Sequence, residues 1–417
     1  MAAHLGAVAF AQSGAHWVAT WASAQQQPAA GRGGVPGRAP AQPGTPAQPQ
    51  AAPQAPAATP AAAVPGTLNS QTARMILRTS LGGSRVRVQF SNTFGTAPLE
   101  LGSAHLALHA ADSAIVPGSD RALLFNGKSS ARVLPGAVLL SDPVDLVVPA
   151  LSELAISVYV PGDSGRASGH SMALHTTYIS KEGDTTAQPA MADTTTTAAW
   201  YWVSSVDVLA PATASAIVAY GDSITDGATS TVNTNHSWPS LLAERLAANP
   251  TTANMSILNL GISGNRILGD GAGVSALARF DRDVLSQAGV KYLMILEGIN
   301  DMNGAGRGGV TLTADDLIGA MKQMIERAHT HGIKVIGCTL TPFGGATDTV
   351  EAMRQALNAF IRTGGAFDAF VDFDKVIRDP EDQRQFIKAY NNTDRLHPND
   401  AGYKAMADAV DLALFTK

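Results

Sequence analysis

Apolar runs and amphipathic segments alternate along the C-terminal half of the chain. The apolar runs predict buried strands at 216–220, 255–260, 292–297, 334–340 and 369–373. Apolar residues recur at helical spacing between these runs, and they predict helices at 314–330, around 350–361 and at 401–415. Strands that alternate with helices favour a parallel sheet with helices on both faces. We therefore predict an α/β domain over residues 211–417.

The preceding part of the chain shows the period of two that is typical of strands. In the run 84–90, Val86, Val88 and Phe90 alternate strictly with polar residues, so they share one face. Further strand candidates are 17–21, 73–79, 101–109, 121–125, 144–148, 153–160 and 172–179. Pro- and Gly-rich turns separate these short runs, and this pattern favours a β-sandwich or jelly roll. We predict such an N-terminal β domain over residues 12–210.

Two segments near the N-terminus lack the composition of a folded core. Residues 27–66 consist mainly of Pro, Ala, Gln and Gly, which predicts a disordered or extended surface insertion in the β domain. A Pro-rich segment that binds a partner is the alternative. Residues 1–11 end in a short apolar run with a small-x-small pattern, like the tail of an export signal, although no Lys or Arg precedes it. Chance in an Ala-rich terminus is the alternative, and we expect a secreted or periplasmic protein.

Composition excludes several classes of partner and cofactor. The net charge of the 417 residues is −5 and no basic run occurs, so a nucleic-acid partner is not expected. No apolar stretch reaches membrane-spanning length. Cys338 is the only cysteine and lies in a predicted strand, which indicates a buried, unreactive thiol. No cluster has zinc-binding spacing and no phosphate-binding loop occurs, so we predict neither a metal nor a cofactor. The oligomeric state stays open.

Polar and Gly-rich segments follow three of the predicted strands at the point where each strand ends. They are Gly-Asp-Ser-Ile at 221–224, Gly-Ile-Ser-Gly-Asn at 261–265 and Gly-Ile-Asn-Asp at 298–301. A fourth segment, Asp-Arg-Leu-His-Pro at 394–398, lies near the C-terminus. Because ligands bind at the carboxyl ends of parallel strands, we expect the first three segments to share one edge of the sheet.

The residue types in these segments suit nucleophilic catalysis. Ser223 needs a base to remove its proton, and His397 is the candidate because histidine is the usual general base at neutral pH. Asp394 lies three residues before His397, close enough for a short turn to bring its carboxylate to the ring. Each segment also has a structural interpretation, since Asp222 could cap a helix, Asn300 could form an Asx turn and His397 could be a solvated loop residue. The occurrence of all four segments in order favours the catalytic interpretation.

In these four segments the chain resembles the SGNH hydrolases, also called GDSL-type lipases and esterases, over roughly 214–417. That family is named after Ser, Gly, Asn and His in four blocks, which match Ser223, Gly264, Asn300 and His397. The resemblance implies a flavodoxin-like parallel sheet and a catalytic set of Ser223, Asp394 and His397. It also implies an oxyanion hole made by the backbone N–H groups of Ser223 and Gly264 and the side chain of Asn300. Certain secreted members of the family carry a β domain before the catalytic one, as predicted here.

We therefore expect a serine esterase that hydrolyses short-chain carboxylic esters, aryl or carbohydrate acetyl esters, through an acyl-enzyme on Ser223. Gly-rich segments at 266–274 and 303–309 predict a mobile or shallow rim, which favours short acyl chains. One alternative is an acyltransferase that uses the same residues with an alcohol as acceptor. Another is a carbohydrate-binding protein with a degenerate hydrolase domain. The aromatic cluster 200–202 is interpreted as core, with a sugar-binding platform as the alternative.

Overall fold

The computed structural model describes residues 14–26, 67–303 and 311–416. The possible export-signal remnant at 1–11 and the insertion at 27–66 lie outside these residues, as does most of the rim segment at 303–309. Among the described residues, no helix is long and apolar enough to cross a membrane.

The N-terminal region is built almost entirely of antiparallel strands. Its strands in chain order are β1 His16–Ala22, β2 Asn69–Arg78, β3 Gly83–Ser91, β4 Leu99–Leu101, β5 Ser103–Ala111, β6 Ala114–Ile115, β7 Arg121–Ala122, β8 Ala131–Val133, β9 Val138–Leu140, β10 Val144–Val148, β11 Glu153–Asp163, β12 Gly169–His170, β13 Thr177–Ile179, β14 Thr195–Thr197, β15 Trp200–Tyr201 and β16 Val203–Ala210. One main sheet has the order β1-β16-β3-β10, with β9 also paired to β3. The other has the order β14-β13-β2-β11-β5-β6, with β7 also paired to β5.

The period of two in the sequence places alternate side chains of these strands in the interior. Val86, Val88 and Phe90 in β3 are fully buried, as the alternation predicts. Side chains of both main sheets belong to the same hydrophobic core, Met75 and Leu154 from one and Val88 from the other. The β-rich character of the N-terminal region is confirmed, while its assignment to the sandwich or jelly-roll class stays a prediction.

The C-terminal region alternates strand and helix as the sequence predicts. Its elements are β17 Ser215–Gly221, α1 Ser223–Asp226, α2 Trp238–Ala248, β18 Met255–Gly261, α3 Ala276–Phe280, a π-helical turn Asp281–Leu285, β19 Val290–Leu296, α4 Ile299–Asn303, α5 Ala314–Thr330, β20 Lys334–Cys338, α6 Asp348–Thr363, β21 Ala369–Val371, α7 Phe373–Ile377, a 3₁₀ helix Lys388–Tyr390, α8 Asp400–Asp408 and a 3₁₀ helix Leu412–Phe415. The five strands are parallel in the order β18-β17-β19-β20-β21, which is the flavodoxin-like order. The helix predicted at 401–415 is divided, because Asp411 caps a separate 3₁₀ turn by accepting from the Ala413 N–H.

Three neighbouring strands of the parallel sheet end at the same level. Gly221 at the end of β17 is in register with Gly261 in β18 and with Leu296 in β19. A Cβ atom on Gly221 would lie 2.2 Å from the Leu296 carbonyl oxygen, and one on Gly261 would lie 2.2 Å from the Asp226 nitrogen. Glycine therefore allows the segments that follow these strands to approach one another closely.

The N-terminal β region packs directly against the parallel sheet. In β1, Ala19 donates its N–H to the Ala288 carbonyl over 3.0 Å, and its own carbonyl accepts from Ser256 Oγ over 2.6 Å. Ser80 Oγ accepts from the Ile257 N–H at 3.0 Å. The hydrophobic core is continuous across the predicted domain boundary at 210–211.

Candidate active site

Ser223 lies on the sharp turn between β17 and α1. Asp222 adopts extended backbone geometry before the helix, and its Oδ1 accepts from the Ile224 N–H at 3.0 Å. This is an N-cap contact, so the structural role expected for Asp222 is confirmed. Ser223 is thereby held as the first residue of α1, with 8% of its surface exposed.

His397 lies between Ser223 and Asp394. Its Nε2 is 2.7 Å from Ser223 Oγ, and its Nδ1 is 2.6 Å from Asp394 Oδ2. The other oxygen of the Asp394 carboxylate accepts from the backbone N–H groups of Leu396 and His397, at 2.9 and 3.0 Å. The structure therefore joins Ser223, His397 and Asp394 in one chain of hydrogen bonds, although Ser223 and His397 are 174 positions apart in the sequence.

The electrostatics of the Asp394 carboxyl group suit a partner for an imidazole. Burial opposes its ionisation, but hydrogen bonds from the His397 ring and from the backbone N–H groups of His397 and Leu396 outweigh burial and lower the pKa of Asp394 to about 2. An ionised carboxylate can only accept, so the hydrogen between Asp394 and the ring belongs to Nδ1 of His397. The Nε2 atom is then free to accept the hydroxyl hydrogen of Ser223.

Gly264 and Asn300 lie just beyond the ends of β18 and β19. Asn300 donates one hydrogen of Nδ2 to the Asn265 carbonyl over 2.9 Å, and the second hydrogen on Nδ2 remains for another acceptor. The N–H groups of Ser223 and Gly264 have no acceptor within the described ranges. Gly264 has a φ of +81°, and a Cβ atom there would lie 2.9 Å from the Ala272 side chain, so this position favours glycine.

The rim segment at 266–274 is fastened to the site by hydrogen bonds. The Asp301 carboxylate accepts from the N–H groups of Ile267 and Leu268, at 2.7 and 3.1 Å. Asn265 Nδ2 donates to the Val274 carbonyl at 2.9 Å. Asp301 thus has a structural role, and the rim that the sequence predicts to be mobile or shallow is held by hydrogen bonds along this segment.

Burial under the turn raises the pKa of Asp222 to about 6. The negative charges of Asp301 and Asp226 also raise this pKa, while the hydrogen bond from the Ile224 N–H and the charge of His397 lower it. Between its ordinary pKa of 3.8 and 6, the folded chain binds more protons than the unfolded chain, so this group lowers the free energy of unfolding as the pH rises. Asp222→Asn keeps the acceptor for Ile224 and cannot ionise. We expect the free energy of unfolding of the variant, relative to that of wild type, to increase by about 2 kcal/mol from pH 4 to pH 7. Urea unfolding at each pH measures this difference.

Asp163→Asn provides the matched control for this prediction. Asp163 is exposed, and its Oδ1 likewise accepts from a nearby backbone N–H, that of Gly165, at 2.9 Å. A stability difference between Asp222→Asn and wild type that stays constant from pH 4 to pH 7 would contradict the prediction.

No motif in the sequence points to His170 or Asp226. His170 Nε2 lies 2.9 Å from Asp226 Oδ1, and both residues are almost completely buried. Asp226 is three residues beyond Ser223, which is a weak signal, but His170 lies 56 positions away with no local motif around it. Only the packing of the β region against α1 brings the two together.

Other candidates from the sequence have structural environments. Trp200, Tyr201 and Trp202 are at most 9% exposed, as expected of core residues and unlike an exposed sugar platform. Burial raises the pKa of the Cys338 thiol, which is fully buried, as expected of an unreactive cysteine. Within 14–26, 67–303 and 311–416, no three His, Cys, Asp or Glu side chains are grouped to hold a metal ion.

Residues 217–410 match the family model of the GDSL-like lipases/acylhydrolases. No curated protein matches the chain.

Among similar solved structures, a member of the lipolytic protein G-D-S-L family from Veillonella parvula has 20% identity and a TM-score of 0.36, over 49% of this chain and 100% of that one. A GDSL-like lipase from Bacteroides thetaiotaomicron has 22% identity and a TM-score of 0.36, over 48% and 87%. A catalytic mutant of an acetylxylan esterase from Geobacillus stearothermophilus has 22% identity and a TM-score of 0.37, over 47% and 91%. Residues 217–410 are therefore a GDSL-like lipase/acylhydrolase domain, of the SGNH hydrolase family, as the four sequence blocks predict.

Proposed function

We propose that this protein is a serine esterase that hydrolyses short-chain carboxylic esters through an acyl-enzyme on Ser223. The observation that carries the proposal is the chain of hydrogen bonds from Ser223 Oγ through His397 to Asp394, with lengths of 2.7 and 2.6 Å. A serine with a base at this distance, and a base with an orienting carboxylate, has the parts needed for nucleophilic attack on a carbonyl carbon.

In the proposed reaction, Ser223 Oγ attacks the ester carbonyl carbon while His397 Nε2 takes the hydroxyl proton. The imidazolium that forms is stabilised by Asp394. The oxyanion is met by the N–H groups of Ser223 and Gly264 and by the Asn300 side chain. His397 then returns the proton to the leaving alkoxide, and the alcohol departs. Water attacks the acyl-enzyme with His397 as base, and the carboxylic acid is released as Ser223 regains its proton.

The acyl group that we propose is short, as in aryl or carbohydrate acetyl esters. Ala272 of the fastened rim lies so close to Gly264 that it would meet an added Cβ at 2.9 Å. The rim therefore packs close against Gly264, and we expect this close packing to favour a small acyl chain. An acyltransferase would use the same atoms, with an alcohol in place of water in the second half of the reaction.

We also propose that residues 12–210 are a β-sandwich domain of a secreted or periplasmic enzyme, with residues 211–417 as the catalytic domain. The shared core of the two antiparallel sheets supports the first part. The export proposal rests on the small-x-small pattern at 9–11 alone.

A panel of esters tests the function. The purified full chain would be assayed on p-nitrophenyl esters of increasing acyl chain length and on acetylated xylan, with and without added alcohol. We expect the highest kcat/KM on an acetyl ester, a steady decrease with acyl length, and free acid as the main product. Absence of turnover on every ester, together with no labelling of Ser223 by a fluorophosphonate, would refute the proposal. A predominance of alcohol-derived ester would favour the acyltransferase.

Asn300→Ala removes the side-chain donor of the proposed oxyanion hole. Because this donor acts on charge that develops in the transition state, we expect kcat on p-nitrophenyl acetate to fall roughly 10²–10³-fold with little change in KM. Asn254→Ala, at an exposed residue just before the start of β18, is the control and should match wild type. A change confined to KM in Asn300→Ala would contradict the assigned role.

A further inference from the structure

His170 of the N-terminal β region is buried against the catalytic domain. It lies in the short strand β12, which pairs with β15, and it is 3% exposed. Its Nδ1 is 2.9 Å from the Ala24 carbonyl oxygen, and its Nε2 is 2.9 Å from Asp226 Oδ1. The indole of Trp200 stacks over the ring at 5.8 Å between centroids. These contacts fix both the position and the orientation of the imidazole.

The Ala24 carbonyl oxygen can only accept, so Nδ1 of His170 carries a hydrogen. A second hydrogen on Nε2 makes the ring a cation that donates to Asp226 Oδ1. Burial opposes this charge, but the charge and hydrogen bond of Asp226 outweigh burial and raise the pKa of His170, while Arg279 acts against them. His170 and Asp226 therefore form a hydrogen-bonded pair that is almost completely buried and whose electrostatics favour the charged ring.

The second oxygen of Asp226 holds the segment that carries Gly264. Asp226 Oδ2 accepts from the Ser263 backbone N–H at 2.9 Å and from Ser263 Oγ at 2.7 Å. The backbone of Asp226 also lies against Gly261, where an added Cβ would be 2.2 Å from the Asp226 nitrogen. Asp226 thus connects the helix that begins at Ser223 with the segment whose next residue is Gly264.

We propose that His170 is a positioning residue for the oxyanion hole: it holds Asp226, Asp226 holds Ser263, and the N–H of Gly264 is thereby placed. This inference rests on the proposed esterase function. It assigns the β region a part in catalysis, because the region supplies a side chain on which the geometry of the catalytic segment depends. Small errors in the position of a donor have large effects on rate, since a misplacement of about 1 Å can cost roughly 10²-fold.

Two substitutions separate the bond to Asp226 from the other contacts of the ring. In His170→Gln the amide nitrogen reaches the place of Nε2 and can still donate to Asp226. In His170→Asn the shorter side chain places its nitrogen near Nδ1, so the bond to Ala24 survives and the bond to Asp226 is lost. His105→Asn is the matched control, because His105 is also a β-region histidine paired with an aspartate, Asp120, at 2.9 Å.

With p-nitrophenyl acetate, we expect His170→Asn to lower kcat about tenfold, with KM within about twofold of wild type. This decrease in kcat is smaller than that expected when an oxyanion donor is removed altogether. His170→Gln should keep kcat within about threefold of the wild-type value, and the control His105→Asn should have the wild-type kcat. Equal kcat values for His170→Asn and wild type, or equal losses in the Asn and Gln variants, would overturn the proposal. A fall in melting temperature without a fall in kcat would assign His170 a structural role only.

Inactivation by a fluorophosphonate separates this proposal from the proposed function. The reagent phosphonylates the serine oxygen with loss of fluoride, and its phosphonyl oxygen occupies the oxyanion site. If wild type is neither labelled at Ser223 nor active on any ester, the proposed function fails; if wild type and His170→Asn are labelled at equal rates, only the positioning role fails. Should His170→Asn not fold, Ser263→Ala is the second test, because it removes one bond to Asp226 without changing any side chain of the β region. We expect Ser263→Ala to be labelled more slowly, and an unchanged rate would overturn the proposal.

Discussion

The Ser223→Ala variant is expected to lose ester turnover while it keeps the melting temperature of the wild type. The hydroxyl of Ser223 is the proposed nucleophile, and its hydrogen bond is to His397 Nε2 at 2.7 Å. Alanine keeps the first residue of α1 helical and leaves the Asp222 cap in place, so the fold does not depend on the oxygen. Loss of the nucleophile in comparable catalytic sets lowers kcat by roughly 10⁴-fold or more, which would leave hydrolysis of p-nitrophenyl acetate near background.

The control for this prediction is Ser129→Ala, at an exposed serine of the β region. It should match the wild type in both kcat and melting temperature. Appreciable turnover by a folded Ser223→Ala variant would place the nucleophile elsewhere in the chain. A large drop in melting temperature would show that Ser223 contributes to folding.

Asp394→Asn is expected to lower kcat roughly 10³–10⁴-fold, because it changes which ring nitrogen carries the hydrogen. Asp394 Oδ1 accepts from the N–H groups of Leu396 and His397, and an asparagine Oδ1 can keep both bonds. The amide nitrogen then faces His397 Nδ1 and can only donate to it. The ring hydrogen moves to Nε2, where the ring can no longer accept the proton of Ser223.

The pKa of about 2 for the Asp394 carboxyl group determines the pH range in which this group can affect the wild-type kcat. A lowered pKa keeps Asp394 ionised, and its bond to His397 present, until the pH falls towards 2, so this group should cause no loss of wild-type kcat between pH 4 and pH 8. Measured pH–rate profiles of both proteins check this. Asp120→Asn, at the aspartate paired with His105, is the control and should keep the wild-type kcat. A loss smaller than tenfold in Asp394→Asn would contradict the tautomer argument.

Local patterns in the sequence were sufficient to predict several of the longer strands and helices. The alternation of Val86, Val88 and Phe90 predicts one buried face of a strand, and helix α5 has the predicted bounds, Ala314–Thr330. Both follow from periodicities of two and 3.6 residues that depend only on neighbouring positions. The division of the last predicted helix was missed, because it depends on the competing cap at Asp411.

By itself, the sequence determined which residues could do chemistry and on which edge of a parallel sheet three of their segments would lie. Three of the four segments directly follow predicted strands, and parallel strands place their carboxyl ends at the same edge of a sheet. The tertiary structure decided the distances, such as the 2.7 Å between Ser223 and His397, and the fastening of the rim by Asp301. It also decided the pairing of His170 with Asp226, because contacts between distant segments arise from packing and leave no periodic trace in the chain.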